Sequence, residues 1–518
     1  MTTTGSIFRH TAIYSAATVV AKLVGFVMLP VYSRVFGTEG YAVLGMMDAA
    51  TGLLAVLLSR AFSTAMVRNY HQEETAERRG TVLWTGIALV LMQAVVLLPL
   101  PMIMSGTLSS WLFGTGQYGA VVIMSCVSLA ANMLGVSASM YLIINQRSVA
   151  YAAISVLRLF LSFFLCVLFV LVVKLGVVGV FVGDVITDVI CAGVMTFPLW
   201  RKHPIRFDRG IAKDLIAFQW PLVPGDLISF ISRQAERVLL RVLDTLKSVG
   251  VLEMGYKFPP LIGLFVTEPF LRAWRTKSME LGSKPEGPTA IGAMYTNYLF
   301  ALAFGGLLLA VNLGTLLRLM TPEEFWGAVI VGELGILSTI LTGCFSYLEF
   351  GLLFTGRTRM LSVIVGVKAV LKLGLSYLFI SSWGLRGAAL SAAVTDAFAV
   401  AWVWRASQRA YPLVFEWRRI GAIGVTAVGL FLFVQLAGGS CRRIAEAAAA
   451  PVRDALSGVI GARGLELLSL ERAGGVLQLV ITTIVASCFL LLMPYVRPGL
   501  ATRLWCRARE LAARGWRR

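Results

Sequence analysis

The sequence predicts an all-α polytopic membrane protein of about fourteen transmembrane helices, built as two parallel six-helix repeats followed by two C-terminal helices. Three observations predict it. Of 518 residues, 58% are hydrophobic and only 14% charged, whereas a soluble chain of this size carries about a quarter of its residues as charges. Long apolar stretches recur along the chain and satisfy the ruler of about 20 residues per crossing of about 30 Å of hydrocarbon. A motif near residue 180 returns near residue 390.

The predicted spans are 11–33, 41–66, 82–104, 118–144, 150–173, 177–199, 218–243, 251–271, 290–314, 325–350, 361–381, 386–404, 419–438 and 475–495. The first is too long for a signal peptide and contains Lys22, so it reads as retained. Pro221, Pro224, Pro259 and Pro260 interrupt the seventh and eighth, as hinges or as backbone opened to a polar cavity. The expected organisation is an N-terminal lobe at 1–200 and a cytoplasmic linker at 201–217. A C-terminal lobe follows at 218–410, then two added helices within 411–495 with an external loop at 439–474, and a basic tail at 496–518.

The formal net charge is +19, from 46 Lys and Arg against 27 Asp and Glu. Counted by alternate loops, with Arg386 and Arg419 at span edges given to the loops, about 27 of the 46 basic residues fall on the side that holds both termini and about 10 on the other, so that side is cytosolic by the positive-inside rule. The excess orients helices and implies no nucleic-acid partner. The tail, with Leu504 and Trp505 among its arginines, reads as resting on anionic headgroups or as solvated. Loop 439–474 reads as a surface helix or a poorly ordered segment.

Several chemistries are missing. The three histidines, His10, His71 and His203, all fall in loops, the seven cysteines show no CxxC spacing, and no Walker or dinucleotide motif occurs. No metal, nucleotide or other cofactor is expected, and no enzymatic activity.

The repeat is carried by LGVVGVFVGDVITD (Leu175–Asp188) and WGLRGAALSAAVTD (Trp383–Asp396). At an offset of 208, Gly176, Gly179, Thr187 and Asp188 fall on Gly384, Gly387, Thr395 and Asp396. At 210, Arg147 falls on Arg357 and Arg158 on Lys368. The sixth span thus corresponds to the twelfth, a parallel repeat of the kind whose halves flank a midplane substrate site.

Apart from Arg386 and Arg419 at the first residue of two spans, nine basic residues lie within spans: Lys22, Arg60, Arg158, Arg233, Arg237, Arg241, Lys257, Lys368 and Lys372. Each costs at least about 2.5 kcal/mol at a helix centre, so each must meet protein, water or ligand. Arg233, Arg237 and Arg241 follow i, i+4, i+8 and form one stripe; Lys368 and Lys372 repeat the spacing. Parallel arginine forks suit phosphate oxygens, which points to an anionic substrate. The competing reading pairs these cations with intramembrane acids: Asp48, Asp184, Asp188, Asp226, Glu236, Glu253, Glu268, Glu333, Glu349 and Asp396. Among those acids Asp48, Asp188, Asp226, Glu236 and Asp396 are the candidates for ion coupling. The recurrence of Asp188 as Asp396 favours a role in the fold over proton or sodium coupling.

Further stretches carry a resemblance. They are the opening helix Ser6–Val31, YSRVFGTEGYAVLGMMDA (Tyr32–Ala49), STAMVRNY (Ser63–Tyr70), SRQAERVLLRVLDTLKSVGVLEMGYKF (Ser232–Phe258) and the two Gly-x-x-Gly turns. Over most of residues 6–420 the chain resembles the polysaccharide (O-antigen) flippase branch of the multidrug/oligosaccharidyl-lipid/polysaccharide exporter superfamily. Ala235-Glu236-Arg237 departs from the Asp-Arg pair common in relatives. The resemblance implies a V-shaped pair of six-helix lobes in the bacterial inner membrane that moves a polyprenyl-pyrophosphate-linked oligosaccharide between leaflets by alternating access. It places Lys22, Arg60, Arg233, Arg237 and Lys257 on the helices that line a cationic cavity. It implies lipid-linked oligosaccharide and membrane lipids as partners, with other polysaccharide-assembly proteins beside them. The alternatives are a drug/cation exporter of the same superfamily, a membrane-embedded glycan polymerase or ligase, and an envelope scaffold.

Overall fold

The computed structural model describes residues 25–26, 28–58, 61–457 and 470–492. Lys22, Arg60, most of the first expected span, part of loop 439–474 and the tail 496–518 lie outside the described residues. The described chain is helical, without strands, and divides into two compact units, 1–253 and 254–518.

In the first unit, α1 (Leu29–Leu57) breaks at Gly37, whose φ of +62° only glycine adopts cheaply. It is followed by α2 (Ala61–Gln72), α3 (Ala76–Leu97), α4 (Ser105–Phe113), α5 (Gly119–Ile144), α6 (Ser148–Val167), α7 (Val177–Lys202), α8 (Arg209–Gln219), α9 (Val223–Leu243) and α10 (Leu246–Gly255), which ends in the second unit. The core of α2, α3, α5 and α8 is apolar, with Met66, Val82, Leu83 and Leu142 almost fully buried. This packing joins α8 to the first unit through Ala212 and Leu215.

The segment 201–217, expected as a linker, lies within the first unit and is tied down. The Trp84 indole donates to the His203 carbonyl (3.1 Å), the Asp208 amide donates to Thr85 (3.1 Å), and Arg206 pairs with Glu77. Asp208 then caps α8 by accepting from the Ile211 amide (3.0 Å). The His203 ring presses on Gly80, where a Cβ would lie 2.6 Å from it. Burial, and secondarily Lys202, push the His203 pKa below its ordinary 6.5. The unfolded chain therefore binds more protons, so this contact stabilises fully above about pH 6.5 and loses its contribution as pH falls below that. We expect the melting temperature to drop on acidification through this window, and the drop to shrink in His203→Gln; an equal drop in both proteins counts against the assignment.

In the second unit the elements are α11 (Glu268–Gly282), α12 (Gly287–Met320), α13 (Ala328–Leu348), α14 (Thr358–Ala410), α15 (Trp417–Ser457) and α16 (Leu470–Ser487). An aromatic stack joins α11, α12 and α13: Phe270 lies on Tyr298 and Trp274 on Tyr347, each at 4.3 Å between centroids. Helix α16 is fastened to α12 by Thr482, whose hydroxyl donates to the Asn312 side chain (2.6 Å). The expected external loop begins as helix, since α15 runs on to Ser457.

Ten described helices are long and apolar enough to cross a membrane, or eleven if the pair 209–219 and 223–243, bent by 48°, is one span. The count of fourteen is not reproduced, for three physical reasons. The first expected span is mostly undescribed, the last apolar helix (Gln478–Leu491) is short, and α14 holds two expected spans joined through Gly384 without an intervening loop. Within α14 the chain folds back at Gly384 (φ +52°), as the side-chain contact between Ser376 and Ser391 (2.9 Å) requires.

Candidate functional site

The repeat seen in sequence is a repeated ion pair. In the first unit the Arg158 guanidinium on α6 meets the Asp188 carboxylate on α7 at 2.7 Å, and Ser128 on α5 donates to the other carboxylate oxygen at 2.6 Å. Asn132, one turn beyond Ser128, lies against both Asp188 and Arg158. In the second unit Lys368 and Asp396, on the two limbs of α14, meet at 2.6 Å, and Ser338 on α13 donates to the same carboxylate. Each aspartate is about nine-tenths or more buried. A charge so placed needs both a counter-ion and hydrogen bonds on its remaining lone pairs, and each unit supplies both.

The matched glycines have matched reasons. Gly176 and Gly384 turn the chain with φ of +61° and +52°. Gly179 and Gly387 bring the next helix against the preceding one: a Cβ would lie 3.0 Å from the Phe169 carbonyl oxygen in the first unit and 1.9 Å from that of Phe379 in the second.

Around Arg158 and Asp188 the first unit opens two adjoining cavities of about 430 and 570 Å³. The larger also reaches Asp48, Thr51 and Asp184, and Ser162 donates to Asp184 at 3.2 Å. The chamber is thus lined by three carboxylates and one guanidinium.

The arginine stripe of α9 is divided among three environments. Arg233 is exposed. Arg237 is forked onto Glu253 of α10 and also donates to Gln234. Glu253 is buried over Gly45 of α1, where a Cβ would sit 2.3 Å from its side chain. Arg241 donates to the Leu112 carbonyl (2.8 Å) beside Gly114, closing the end of α4. On the same helix Asp226 is exposed in the first turn and Glu236 is buried. In the second unit Lys257 is exposed beyond α10, and Lys372 is half-buried one turn past Lys368. The structure therefore brings together Arg158 with Asp188, Lys368 with Asp396 and Arg237 with Glu253. The last pairing was open to sequence reading only as one of many possible combinations; the i, i+4 spacing shows a shared helix face and says nothing of the helix opposite. Among the described residues no group of three His, Cys, Asp or Glu is placed to hold a metal ion.

Comparison with known proteins agrees with this architecture. The family model described as "Polysaccharide biosynthesis protein" matches residues 7–274. No curated protein matches the sequence. Among solved structures, the lipid II flippase MurJ in an inward closed conformation aligns over 93% of this chain and 100% of its own, with TM-score 0.67 at 13% identity. An inward-facing multidrug resistance MATE family transporter of the MOP superfamily aligns over 78% of this chain and 96% of its own, with TM-score 0.58 at 16% identity. A MOP superfamily transporter from Pyrococcus furiosus aligns over 81% and 96%, with TM-score 0.52 at 16% identity. At such identities the likeness is one of fold, whereas the family match spans more than half of the chain: this multi-pass membrane protein belongs to the polysaccharide biosynthesis protein family.

Proposed function

We propose that the protein is a flippase that moves a polyprenyl-pyrophosphate-linked oligosaccharide across the bacterial inner membrane, with both termini cytosolic, for assembly of O-antigen or exopolysaccharide. The observation that carries this reading is the arginine stripe of α9 in a chain of the polysaccharide biosynthesis family. Arg233 is exposed one turn from Arg237, whose guanidinium is already oriented by Glu253 and Gln234. The pairing lowers the cost of keeping Arg237 charged in apolar surroundings while no substrate is bound. A diphosphate arriving at Arg233 then meets, one turn away, the remaining N–H donors of an Arg237 whose fork Glu253 holds in place. Lys22, Arg60 and Lys257 extend the basic set on the strength of the resemblance, and Arg241, Lys368 and Lys372 are its outlying members. The glycan occupies water, the prenyl chain stays in lipid, and release follows when the alternate conformation binds the diphosphate less tightly.

Cation coupling is proposed at the acid-lined chamber. Asp188 and Asp396 are each neutralised by a basic residue of their own unit, which supports a role in the fold. Asp48 and Asp184 are the other carboxylates facing the chamber, and Asp226 and Glu236 on α9 complete the candidate set. The same chamber favours one alternative, export of an organic cation, because three carboxylates outnumber its single guanidinium.

Deleting the gene should cause a lipid-linked saccharide to accumulate on the cytosolic leaflet. Arg233→Ala and Arg237→Ala should each cut translocation at least about tenfold, the value of one charge-assisted hydrogen bond. Unchanged export in both variants would sink the anionic-substrate reading, and uptake or efflux of an organic cation lost on Asp48→Asn would favour the exporter.

A further inference from the structure

The second unit carries a basic groove that the proposed transport cycle does not use. It is a cavity of about 650 Å³ where the first and last turns of α14 lie side by side, lined by Arg357, Arg359, Arg405 and Arg409 with Val363 and Trp402. No acidic side chain lines it, and among the described residues none of the four guanidinium groups is in an ion pair. All four arginines are exposed.

The two limbs of α14 present the same gradient. On the first, Arg359, Val363, Val367 and Val370 share a face, and all three valines are exposed. On the second, Arg409, Arg405, Trp402 and Phe398 share a face, with the Phe398 and Trp402 rings in edge contact at 5.7 Å. Both stripes run from arginine at the helix ends to apolar side chains towards the hairpin's turn. Positive-inside pressure alone asks only for basic residues on this side. It does not ask for them to converge on one cavity that continues into exposed apolar faces.

The first unit supplies an internal comparison. Arg147 and Arg201 stand at the positions of Arg357 and Arg409, but Val149 and Phe197 stand where the second unit has Arg359 and Arg405. Two of the four charges are therefore particular to the second unit.

We propose that this groove holds an anionic phospholipid of the surrounding bilayer, its phosphate against the four arginines and an acyl chain along Val363, Val367 and Phe398. Arginine forks match phosphate oxygens in pairs, basic pockets between membrane helices on the cytosolic side select anionic headgroups, and tryptophan is favoured at headgroup depth. A free phosphate would satisfy the arginines and leave the apolar stripes unused.

The test uses the full-length protein purified in detergent, with bound lipid counted by native mass spectrometry after addition of phosphatidylglycerol or phosphatidylethanolamine. The wild type should retain phosphatidylglycerol in preference to phosphatidylethanolamine. Arg405→Gln/Arg409→Gln should lose that retention by at least about tenfold, whereas Arg147→Gln/Arg201→Gln should not. Arg405→Lys/Arg409→Lys, which keeps the charge, should retain part of it and guards against loss of fold. Inorganic phosphate should fail to displace the lipid. Equal retention by wild type and the Gln variant, no preference between the two lipids, or displacement by inorganic phosphate or by a polyprenyl diphosphate would each overturn the proposal. Transport is not read, so these outcomes are independent of the flippase reading.

Discussion

Asp396→Ala is expected to destabilise the second unit by about 3 kcal/mol, because it strands the Lys368 ammonium in a site built for an ion pair. Lys368 is about a quarter exposed, and its ammonium also lies over the Phe345 ring, so part of its charge stays compensated and the upper end of the range is not reached. The double variant Lys368→Met/Asp396→Leu should recover most of the loss, since two apolar side chains remove both desolvation penalties together. Thermal unfolding in detergent measures both. If the single variant melts with the wild type, the pair is not holding the two limbs of α14 together. The double variant also separates structure from coupling: regained stability with lost transport would assign Asp396 to the cycle, and regained transport would assign it to the fold. Asp188→Ala should show a smaller version of the effect, since Arg158 is nearly half exposed and water can solvate the freed guanidinium.

Gly387→Ala is expected to be at least as damaging. The added methyl would lie 1.9 Å from the Phe379 carbonyl oxygen and 2.3 Å from its carbon, both backbone atoms with little room to give. Overpacking of this kind costs about 3 kcal/mol or more when helices must separate. Gly179→Ala meets the matching carbonyl at 3.0 Å, which a slight shift relieves, and should cost about 1 kcal/mol. The check is the melting temperature and the yield of monodisperse protein for the two variants side by side. A reversed order would show that the closer approach in the second unit is not maintained.

Much of the architecture was legible in the sequence because a membrane helix states itself in every residue along about 30 Å. The bounds 118–144, 177–199 and 419–438 fall within a few residues of α5, of α7 and of the membrane-crossing part of α15. The recurrence of Asp188 as Asp396 and of Arg158 as Lys368 was equally readable. What was not readable is that these four residues form two pairs, because the crossing of two helices is set by packing and leaves no spacing in the sequence. The same holds for Arg237 with Glu253, and for Gly45, whose need for glycine arises from a side chain on another helix.

The two offsets also acquired a cause. The first unit has two more residues between its basic residue and its aspartate than the second. They fall where α6 widens into a π-helical turn at Leu168–Val172 and where Lys174 takes a φ of +61°. A widened turn absorbs an inserted residue without moving the helix that follows. In the second unit nothing needs absorbing, and the chain turns back at Gly384 alone.

Each ion pair joins neighbouring helices of one hairpin, and that placement bears on how the chain is made. A helix bearing Arg158 or Lys368 is a poor candidate to partition into lipid by itself. Its counter-charge is carried by the next helix to emerge from the ribosome, so neutralisation can be completed while the hairpin is still in the insertion machinery. The costliest residues of each unit therefore do not have to wait for the remainder of the chain.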